Sequence, residues 1–309
     1  MIAMHFRLRA FAILALWGAL TSLGLAQPGN AGMPLLTFGV SGRTVAMGYA
    51  STLADGPAAA QTNPAGLQSV GVDTASIHLL MTHQEWIQDT RTEFLGAALP
   101  LGDDQTLGFG LLTTTVSDIE IRTQPGPPEG TFTSRDLAFG VSYARKITET
   151  IRAGVTARYL YERILINEAT GYSFDAGVRM LLPVQGLEAG ISILNIGRMT
   201  VLEQERTTLP SMIRAGALYS GIINPQFSYD VTGDFVRNVP EKRWYVGAGG
   251  EIWFQQLVAL RLGNEFGSDA RGFTSGVGFA YGIVGIDYAL ARLREDLGTT
   301  HTITLALTL

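Results

Sequence analysis

The sequence predicts an all-β protein: a 14-stranded antiparallel transmembrane β-barrel with an N-terminal hatch, or plug, that contains short helical turns. Three observations support this fold class. The chain is apolar, with a mean hydropathy of +0.20 and only 16% charged residues, whereas a typical soluble domain carries about 25%. After residue 26, no apolar run approaches the ~18 residues of a transmembrane helix. Apolar residues alternate instead with small or charged ones, as in the strands of membrane-spanning barrels.

Residues 1–26 have the features of a signal peptide. Arg7 and Arg9 give a basic start, residues 10–20 are apolar, and small residues lead up to Ala26. This order predicts export and cleavage after Ala26; the alternative is an uncleaved N-terminal anchor. The chain has no Cys, which excludes a lipoprotein anchor, disulfides and thiolate metal sites.

Residues 27–72 are rich in Gly, Ala and Ser and carry few charges. Asp55 at a cap position and Pro57 in a first turn predict a helix start, and Pro64 forces Asn63 out of helical geometry. Because small residues allow close packing, we expect a hatch packed inside the barrel; the alternative is a loose periplasmic tail. The candidate hatch residues are Gly42, Arg43, Met47, Gly48, Asp55, Asn63, Pro64, Ala65 and Gly66.

Residues 73–309 contain the alternating segments of the predicted barrel. In one of them Leu137, Phe139 and Val141 alternate with polar or small residues, which gives a strand one apolar face. A soluble β-sandwich is the alternative. The fourteen candidate strands are centred on residues 73–81, 90–99, 105–116, 133–145, 150–165, 171–182, 187–196, 209–220, 224–236, 241–253, 256–266, 272–281, 283–291 and 300–309.

The connections between these strands alternate in length. Those predicted for one side are short, whereas the other side includes longer loops at residues 117–134 and 197–208. Outer-membrane barrels have short periplasmic turns and longer external loops. We therefore expect the outer membrane of a Gram-negative-type (diderm) bacterium, with both termini periplasmic. Trp86 and Trp244, near strand ends, are expected in the aromatic girdles.

Charged residues on the second face of the strands are expected to line the lumen. Buried charges are tolerated when they are paired or hydrated. We therefore expect internal ion-pair ladders that brace the barrel, or alternatively a path that determines selectivity. The candidate lumen charges are Asp136, Arg158, Glu162, Asp175, Arg179, Arg214, Asp230, Glu251, Arg261 and Asp287.

Motifs for catalysis or nucleic-acid binding are missing from the sequence. After residue 26, His78, His83 and His301 are scattered, and there is no phosphate loop, nucleophile elbow or Rossmann fingerprint. We predict no enzymatic activity, no catalytic residue, no metal and no cofactor. The net charge of −5 and the lack of a Lys/Arg cluster argue against nucleic acid. The expected partners are outer-membrane lipid and the barrel-assembly machinery.

An ordered set of short motifs resembles the PorV/PorQ family, within the wider group of FadL-like outer-membrane barrels. The set includes the stretch from Gly42 to Gly48, the sequence Asn-Pro-Ala-Gly-Leu at 63–67, Leu-Pro at 209–210 and Asp-Tyr-Ala at 287–289. The motifs extend over nearly the whole chain after residue 26. The resemblance implies a fourteen-stranded barrel with an N-terminal hatch.

The resemblance also implies a choice between functions. A FadL-like barrel would pass a hydrophobic, fatty-acid-like small molecule through a hatch-gated lumen, with Asn63, Pro64 and Gly66 holding the hatch conformation. A PorV-like barrel would bind an exported cargo protein in type IX secretion. A purely structural outer-membrane protein is a third possibility.

Overall fold

Antiparallel pairing of fourteen strands closes the chain into a barrel in the computed structural model, which describes residues 31–68 and 76–309. The predicted signal peptide and the predicted boundary between hatch and barrel at residue 72 lie outside the described residues. The strands are β1 (His78–Glu85), β2 (Thr90–Pro100), β3 (Gln105–Ile121), β4 (Gly130–Lys146), β5 (Ile151–Ile164), β6 (Asn167–Leu181), β7 (Leu187–Met199), β8 (Val201–Leu202), β9 (Glu205–Arg206), β10 (Met212–Asn224), β11 (Phe227–Asn238), β12 (Arg243–Phe254), β13 (Val258–Phe266), β14 (Arg271–Tyr281), β15 (Val284–Leu293) and β16 (Thr299–Thr308).

The barrel closes where β1 pairs with β16, in a register that runs from His78 opposite Thr308 to Glu85 opposite His301. Every other barrel strand pairs with its sequence neighbours, except that β7 pairs with β10. The short strands β8 and β9 form a separate ladder in the intervening connection. Closure leaves no free sheet edge, and the predicted 14-stranded antiparallel fold is confirmed. Among the described residues, no helix is long and apolar enough to cross a membrane.

The strands place one face outward and the other in the lumen. On β4, Phe139, Val141 and Tyr143 are exposed, whereas Ala138 and Ala144 on either side of this series are buried inside. Most of the other strands show the same outward series of large apolar residues. The barrel therefore carries an apolar outer band of the kind that faces lipid in membrane barrels.

The two ends of the barrel differ. At the short-turn end the connections are residues 101–104, 147–150, 182–186, 225–226, 255–257 and 282–283. At the long-loop end they are residues 86–89, 122–129, 165–166, 200–211, 239–242, 267–270 and 294–298.

Two local predictions are wrong. Residues 117–134 were expected to form a loop, but β3 and β4 extend as a hairpin and leave only residues 122–129 as the loop. β-Branched residues and Phe132 favour this extension. Trp86 does not join a girdle, because its ring packs at a tilt against Phe38 of the hatch, with centroids 4.4 Å apart. An apolar contact inside the barrel replaces the expected interfacial one.

Residues 31–68, here called the plug, lie in the lumen as a chain of short turns. These are a 3-10 turn at Pro34–Thr37, the helix α1 (Gly42–Ala46), and 3-10 turns at Gly56–Gln61 and Pro64–Gln68. Asp55 stands at the cap position of the third turn, as expected, but its carboxylate does not cap the turn. It pairs instead with Arg179 at 2.5 Å, because a charged partner in the lumen is stronger than a neutral backbone N–H.

Candidate functional site: the plug and the lumen

The Asn-Pro-Ala-Gly segment is fixed by hydrogen bonds on both sides of the plug. Asn63 is fully buried, and its Nδ2 donates to the Val178 carbonyl of β6 at 3.2 Å. Its Oδ1 accepts from the Ala65 N–H, also at 3.2 Å, and the Gly66 N–H donates to the Asn63 carbonyl at 2.9 Å. One side chain therefore shapes the turn at Pro64 and attaches it to the barrel wall.

Glycines of the wall let the plug backbone approach closely. A Cβ at Gly154 would lie 2.5 Å from the Pro64 carbonyl carbon, and a Cβ at Gly249 would lie 2.5 Å from Met47 Cα. A Cβ at Gly177 would overlap Asn63 Oδ1. These glycines recur at lumen-facing positions of the strands, a signal for the plug contact that is visible in the sequence. They indicate a plug in direct backbone contact with the wall.

The stretch from Gly42 to Gly48 is attached to β14 and β16. The Gly42 N–H donates to Thr304 Oγ1 at 2.9 Å, and the Gly48 N–H donates to Thr274 Oγ1 at 3.0 Å. Gly48 has a φ of 70°, and a Cβ there would lie 2.5 Å from the Ala248 carbonyl oxygen. Met47, beside it, is buried. Only glycine combines this left-handed backbone with so close an approach.

Arg43 connects the plug to an ion-pair network on β11 and β12. Its Nη2 lies 2.6 Å from Glu251 Oε1 and 2.8 Å from Asp230 Oδ2. Burial by itself would lower the pKa of Arg43, but the nearby carboxylates, Glu251 above all, raise it above its usual value. The Glu251 carboxylate also accepts from Arg261 Nε at 2.6 Å, and Arg261 Nη1 lies 2.6 Å from Asp287 Oδ1. The predicted ion-pair ladder is present here and includes the plug.

A second buried pair holds the middle of the plug. Arg214 Nη2 lies 2.9 Å from Asp234 Oδ2, and the same Asp234 oxygen accepts the backbone N–H groups of Ser51 and Thr52 at 2.8 Å each. Arg214 Nη2 donates in addition to the Tyr49 carbonyl at 3.1 Å. Asp234 therefore binds the wall and the plug backbone at once.

Two further arginines reach the plug from β5 and β6. Arg179 contacts Asp55 at 2.5 Å and Glu188 at 2.6 Å. Arg158 pairs with Asp175 and donates from Nη2 to the Ala60 carbonyl of the plug at 2.7 Å. Both guanidinium groups are buried. Each joins a wall carboxylate to the plug.

Asp136 and Glu162 depart from the expected ladder. They lie directly opposite each other on β4 and β5 and face the lumen. Within the described residues neither forms an ion pair with a basic side chain, and Glu162 Oε2 accepts instead from Thr207 Oγ1 at 2.7 Å. Two adjacent carboxylates thus stand near the long-loop end.

An apolar cluster also lies in the lumen along β1 to β7, beside the charged residues that β4 to β7 carry. Each strand from β1 to β7 contributes one inward residue to a single buried cluster, and the plug fills the space among them. The wall residues are Leu80, Phe94, Leu112, Ala138, Leu160, Ala169 and Met199. The plug residues packed against them are Met33, Leu35, Leu36, Val40 and Ala58.

A cavity of about 160 Å³ lies between the plug and strands β10 to β14. Its lining is mixed, with Phe38 and Met212 beside charged Arg214 and Arg271. The Arg271 guanidinium lies 4.6 Å from the centre of the Tyr49 ring, and burial raises the pKa of Tyr49 to about 12. The Tyr49 hydroxyl therefore stays neutral over the whole physiological range.

The described residues contain no group of three or more His, Cys, Asp or Glu side chains that could hold a metal ion. His78 and His83 lie on β1, and His301 lies on β16. The prediction that the protein is not an enzyme stays a prediction.

Solved structures with a similar fold include proteins described as hydrocarbon channels and toluene transporters. The CymD monoaromatic hydrocarbon channel has a TM-score of 0.61 and 12% identity, over 87% of this chain and 96% of that chain. The Pseudomonas putida toluene transporter TodX has a TM-score of 0.61 and 12% identity, over 87% of this chain and 97% of that chain. A Pseudomonas aeruginosa FadL homologue has a TM-score of 0.54 and 12% identity, over 87% of this chain and 97% of that chain.

These likenesses establish the FadL-like barrel fold that the sequence predicted. The PorV/PorQ part of the resemblance is not confirmed. The sequence matches no protein-family model and no curated protein.

Proposed function

We propose that the protein is an outer-membrane channel for the passive passage of small hydrophobic molecules, closed by its own plug. The apolar cluster along β1 to β7 carries this proposal. Leu35 and Leu36 of the plug are nearly inaccessible to solvent between inward residues such as Phe94 and Leu160. An apolar ligand would find the same surfaces favourable once the plug segment left them. The names of the similar structures, hydrocarbon channels and toluene transporters, agree with this ligand class.

Two kinds of contact hold the plug in the lumen. On β6 and on β10 to β15, ion pairs such as Arg179–Asp55, Arg43–Glu251 and Arg214–Asp234 fix residues 42–55. Along β1 to β7, residues 33–40 make mainly apolar contacts, which lack direction and exchange readily for those of a ligand. Passage therefore requires movement of the segment 33–40, while the ion pairs keep the rest of the plug in place. A concentration gradient supplies the driving force, and no cofactor is needed.

The outer apolar band supports a membrane location, and we propose the outer membrane of a diderm bacterium. The short-turn end would face the periplasm, together with both termini, because periplasmic turns of such barrels are short. Protease added outside intact cells would then cut the hairpin loop 122–129 and leave the short-turn end uncut. Cleavage at residues 147–150 under those conditions would contradict this orientation.

The experiment for transport is uptake of labelled toluene and labelled oleate by cells whose outer membrane contains the protein. Lipopolysaccharide must be present, since a plain phospholipid bilayer passes toluene unaided. We expect faster uptake than in cells without the protein, and a further increase when residues 31–41 are deleted. The control is Phe174→Ala, which alters only the outer surface. Equal uptake with and without the protein would contradict the proposal.

The PorV-like alternative is binding of an exported cargo protein. The described residues offer no contact that favours it over transport. Recovery of a specific exported protein with the purified barrel would favour it, whereas recovery of bound lipid or hydrocarbon would favour transport.

A further inference from the structure

Two arginines stand side by side on the outer surface of the barrel, near its long-loop end. Ala138 of β4 and Leu160 of β5 are buried in the lumen. Because neighbouring residues of a strand point to opposite faces, Arg135 and Arg163 point outward, and both are exposed. They lie directly opposite each other in the register of β4 and β5. We call Arg135 and Arg163 the outer arginine pair.

The positive charge of this pair is poorly compensated by the protein. In the part of the chain that the structure describes, Arg135 forms no ion pair, and Arg163 has one exposed partner, Glu168, with Nε 3.8 Å from Oε1. Like charges directly opposite each other on paired strands destabilise a sheet. An anion held by both guanidinium groups would remove this repulsion. A pocket of about 320 Å³ is available for it, lined by Phe132, Thr133, Arg135, Arg163 and Leu165.

The outward residues of β4 show at which height the pair lies. Arg145 also points outward, ten positions after Arg135, and the outward residues between the two are Leu137, Phe139, Val141 and Tyr143. A strand rises ~3.4 Å per residue and tilts by ~40° in a membrane barrel, so the two arginines differ in height by roughly 26 Å. The apolar band of such barrels is about 25 Å tall. The outer arginine pair and Arg145 therefore lie at the two opposite headgroup levels.

An apolar groove of about 590 Å³ lies on the outer surface of the same strands. Val141 of this groove is six positions from Arg135 along β4, which corresponds to a depth of roughly 15 Å. This depth is half of a hydrocarbon core of ~30 Å. An acyl chain whose headgroup is held at the pair would therefore reach the groove. Its exposed lining includes Val141, Val155, Phe174, Ile193 and Ile196.

We propose that the outer arginine pair binds a phosphate group on the lipid A part of one lipopolysaccharide molecule, with an acyl chain in the groove. The guanidinium groups of Arg135 and Arg163 donate charge-assisted hydrogen bonds to the phosphate oxygens. The long-loop end faces outward in the orientation proposed above, so the lipid at this headgroup level is lipopolysaccharide. The proposal rests on that location and orientation but not on transport, and a channel without measurable uptake would leave it standing.

The test is native mass spectrometry of the full barrel with bisphosphorylated lipid A or phosphatidylglycerol added singly. We expect one retained lipid A per barrel and weaker retention of phosphatidylglycerol. The double substitution Arg135→Gln and Arg163→Gln should weaken lipid A retention about a hundredfold, as expected for loss of two charge-assisted contacts. The matched control is Arg145→Gln, which removes an outward arginine of the same strand at the other headgroup level and should leave retention unchanged.

Glu168→Gln gives a prediction of opposite sign. It removes the carboxylate partner of Arg163 and should strengthen lipid A retention, since the guanidinium is then free for the phosphate. The single substitutions Arg135→Gln and Arg163→Gln replace the double variant if that variant does not assemble, and the mobility of the unheated barrel on a gel reports assembly.

Equal losses of lipid A in the double variant and in Arg145→Gln would overturn the proposal. Equal retention of lipid A and phosphatidylglycerol by the native protein would do the same. Displacement of lipid A by an excess of inorganic phosphate would indicate a site for the free anion and would also overturn it. Toluene uptake by cells with the double variant should equal that of the native protein, so a failure of lipid A binding is separable from a failure of transport.

Discussion

Arg43 and Glu251 are 208 residues apart in the chain, yet the Arg43 Nη2 and the Glu251 Oε1 lie 2.6 Å from each other. Glu251 is buried and also holds Arg261. Replacing Arg43 leaves the Glu251–Arg261 pair in place. The replacement should therefore affect mainly the attachment of the plug.

Arg43→Met should loosen the plug and leave the pairing of the barrel strands intact. The loss of charge-assisted hydrogen bonds to Glu251 and Asp230 should weaken plug docking by roughly 2–3 kcal/mol. Single-channel recording in planar bilayers should show more frequent open events than in the native protein. Arg163→Met, which removes an exposed pair with Glu168, serves as the control and should leave the current unchanged. An unchanged opening frequency in Arg43→Met would mean that this contact does not hold the plug.

Gly177→Ala should displace the Asn63 turn, because the added Cβ would overlap the Asn63 side-chain oxygen. We expect the plug to become accessible to trypsin at Arg43 while the strands stay protected. Gly233→Ala is the matched control, since its Cβ would meet only the Gly247 carbonyl oxygen at 3.8 Å. Limited proteolysis followed by mass analysis distinguishes the two. Equal protection of the plug in both variants would show that the turn tolerates the extra atom.

Asp136→Asn should stabilise the barrel slightly. Like charges directly opposite on paired strands destabilise a sheet by about 0.2–1 kcal/mol, and Asp136 stands opposite Glu162. The measurement is urea unfolding in lipid vesicles, with Asp118→Asn on the exposed part of β3 as control. A loss of stability in Asp136→Asn would indicate that a cation bound between the two carboxylates stabilises the native barrel.

Phe94→Ala should both destabilise the protein and speed passage of an apolar ligand. Phe94 is 3% exposed, and its ring covers Gly96 and Gly110 inside the lumen. Its truncation should cost about 3–5 kcal/mol, because a cavity is left in packed surroundings. At Phe174, which is 52% exposed on the outer face, lipid fills the space and we expect a smaller cost. Slower toluene uptake in Phe94→Ala would argue against an apolar route along β1 to β7.

The sequence predicts the barrel well because the alternation of apolar with small or polar residues shows which face of each strand points outward. The same parity assigned charges such as Arg158, Arg214 and Glu251 to the lumen, and the structure places them there. Parity gives no distance between strands. It therefore did not reveal that Asp234 binds the plug backbone, or that Asp136 and Glu162 form no ion pair with a basic side chain in the part of the chain that the structure describes. Their functional roles stay predictions.

The plug was harder to predict in detail. Asp55 has the local features of a helix cap, and only the position of Arg179 in the barrel explains why its carboxylate turns away. The glycines that face the plug, such as Gly154 and Gly177, are informative only once strand register is known. Local residue propensities predict the turns of the plug. The way the plug packs against the barrel wall depends instead on contacts with strands distant in the sequence.

The long-range anchoring of Arg43 also constrains the order of assembly. The plug precedes every strand of the barrel in the chain, but its partners Asp230, Glu251 and Asp234 lie on β11 and β12. These contacts form only after most of the barrel has been built, since non-local pairing must wait for the intervening chain to be ordered. During biogenesis the segment must therefore stay undocked while the strands pair, and its insertion becomes a late event that marks a finished barrel.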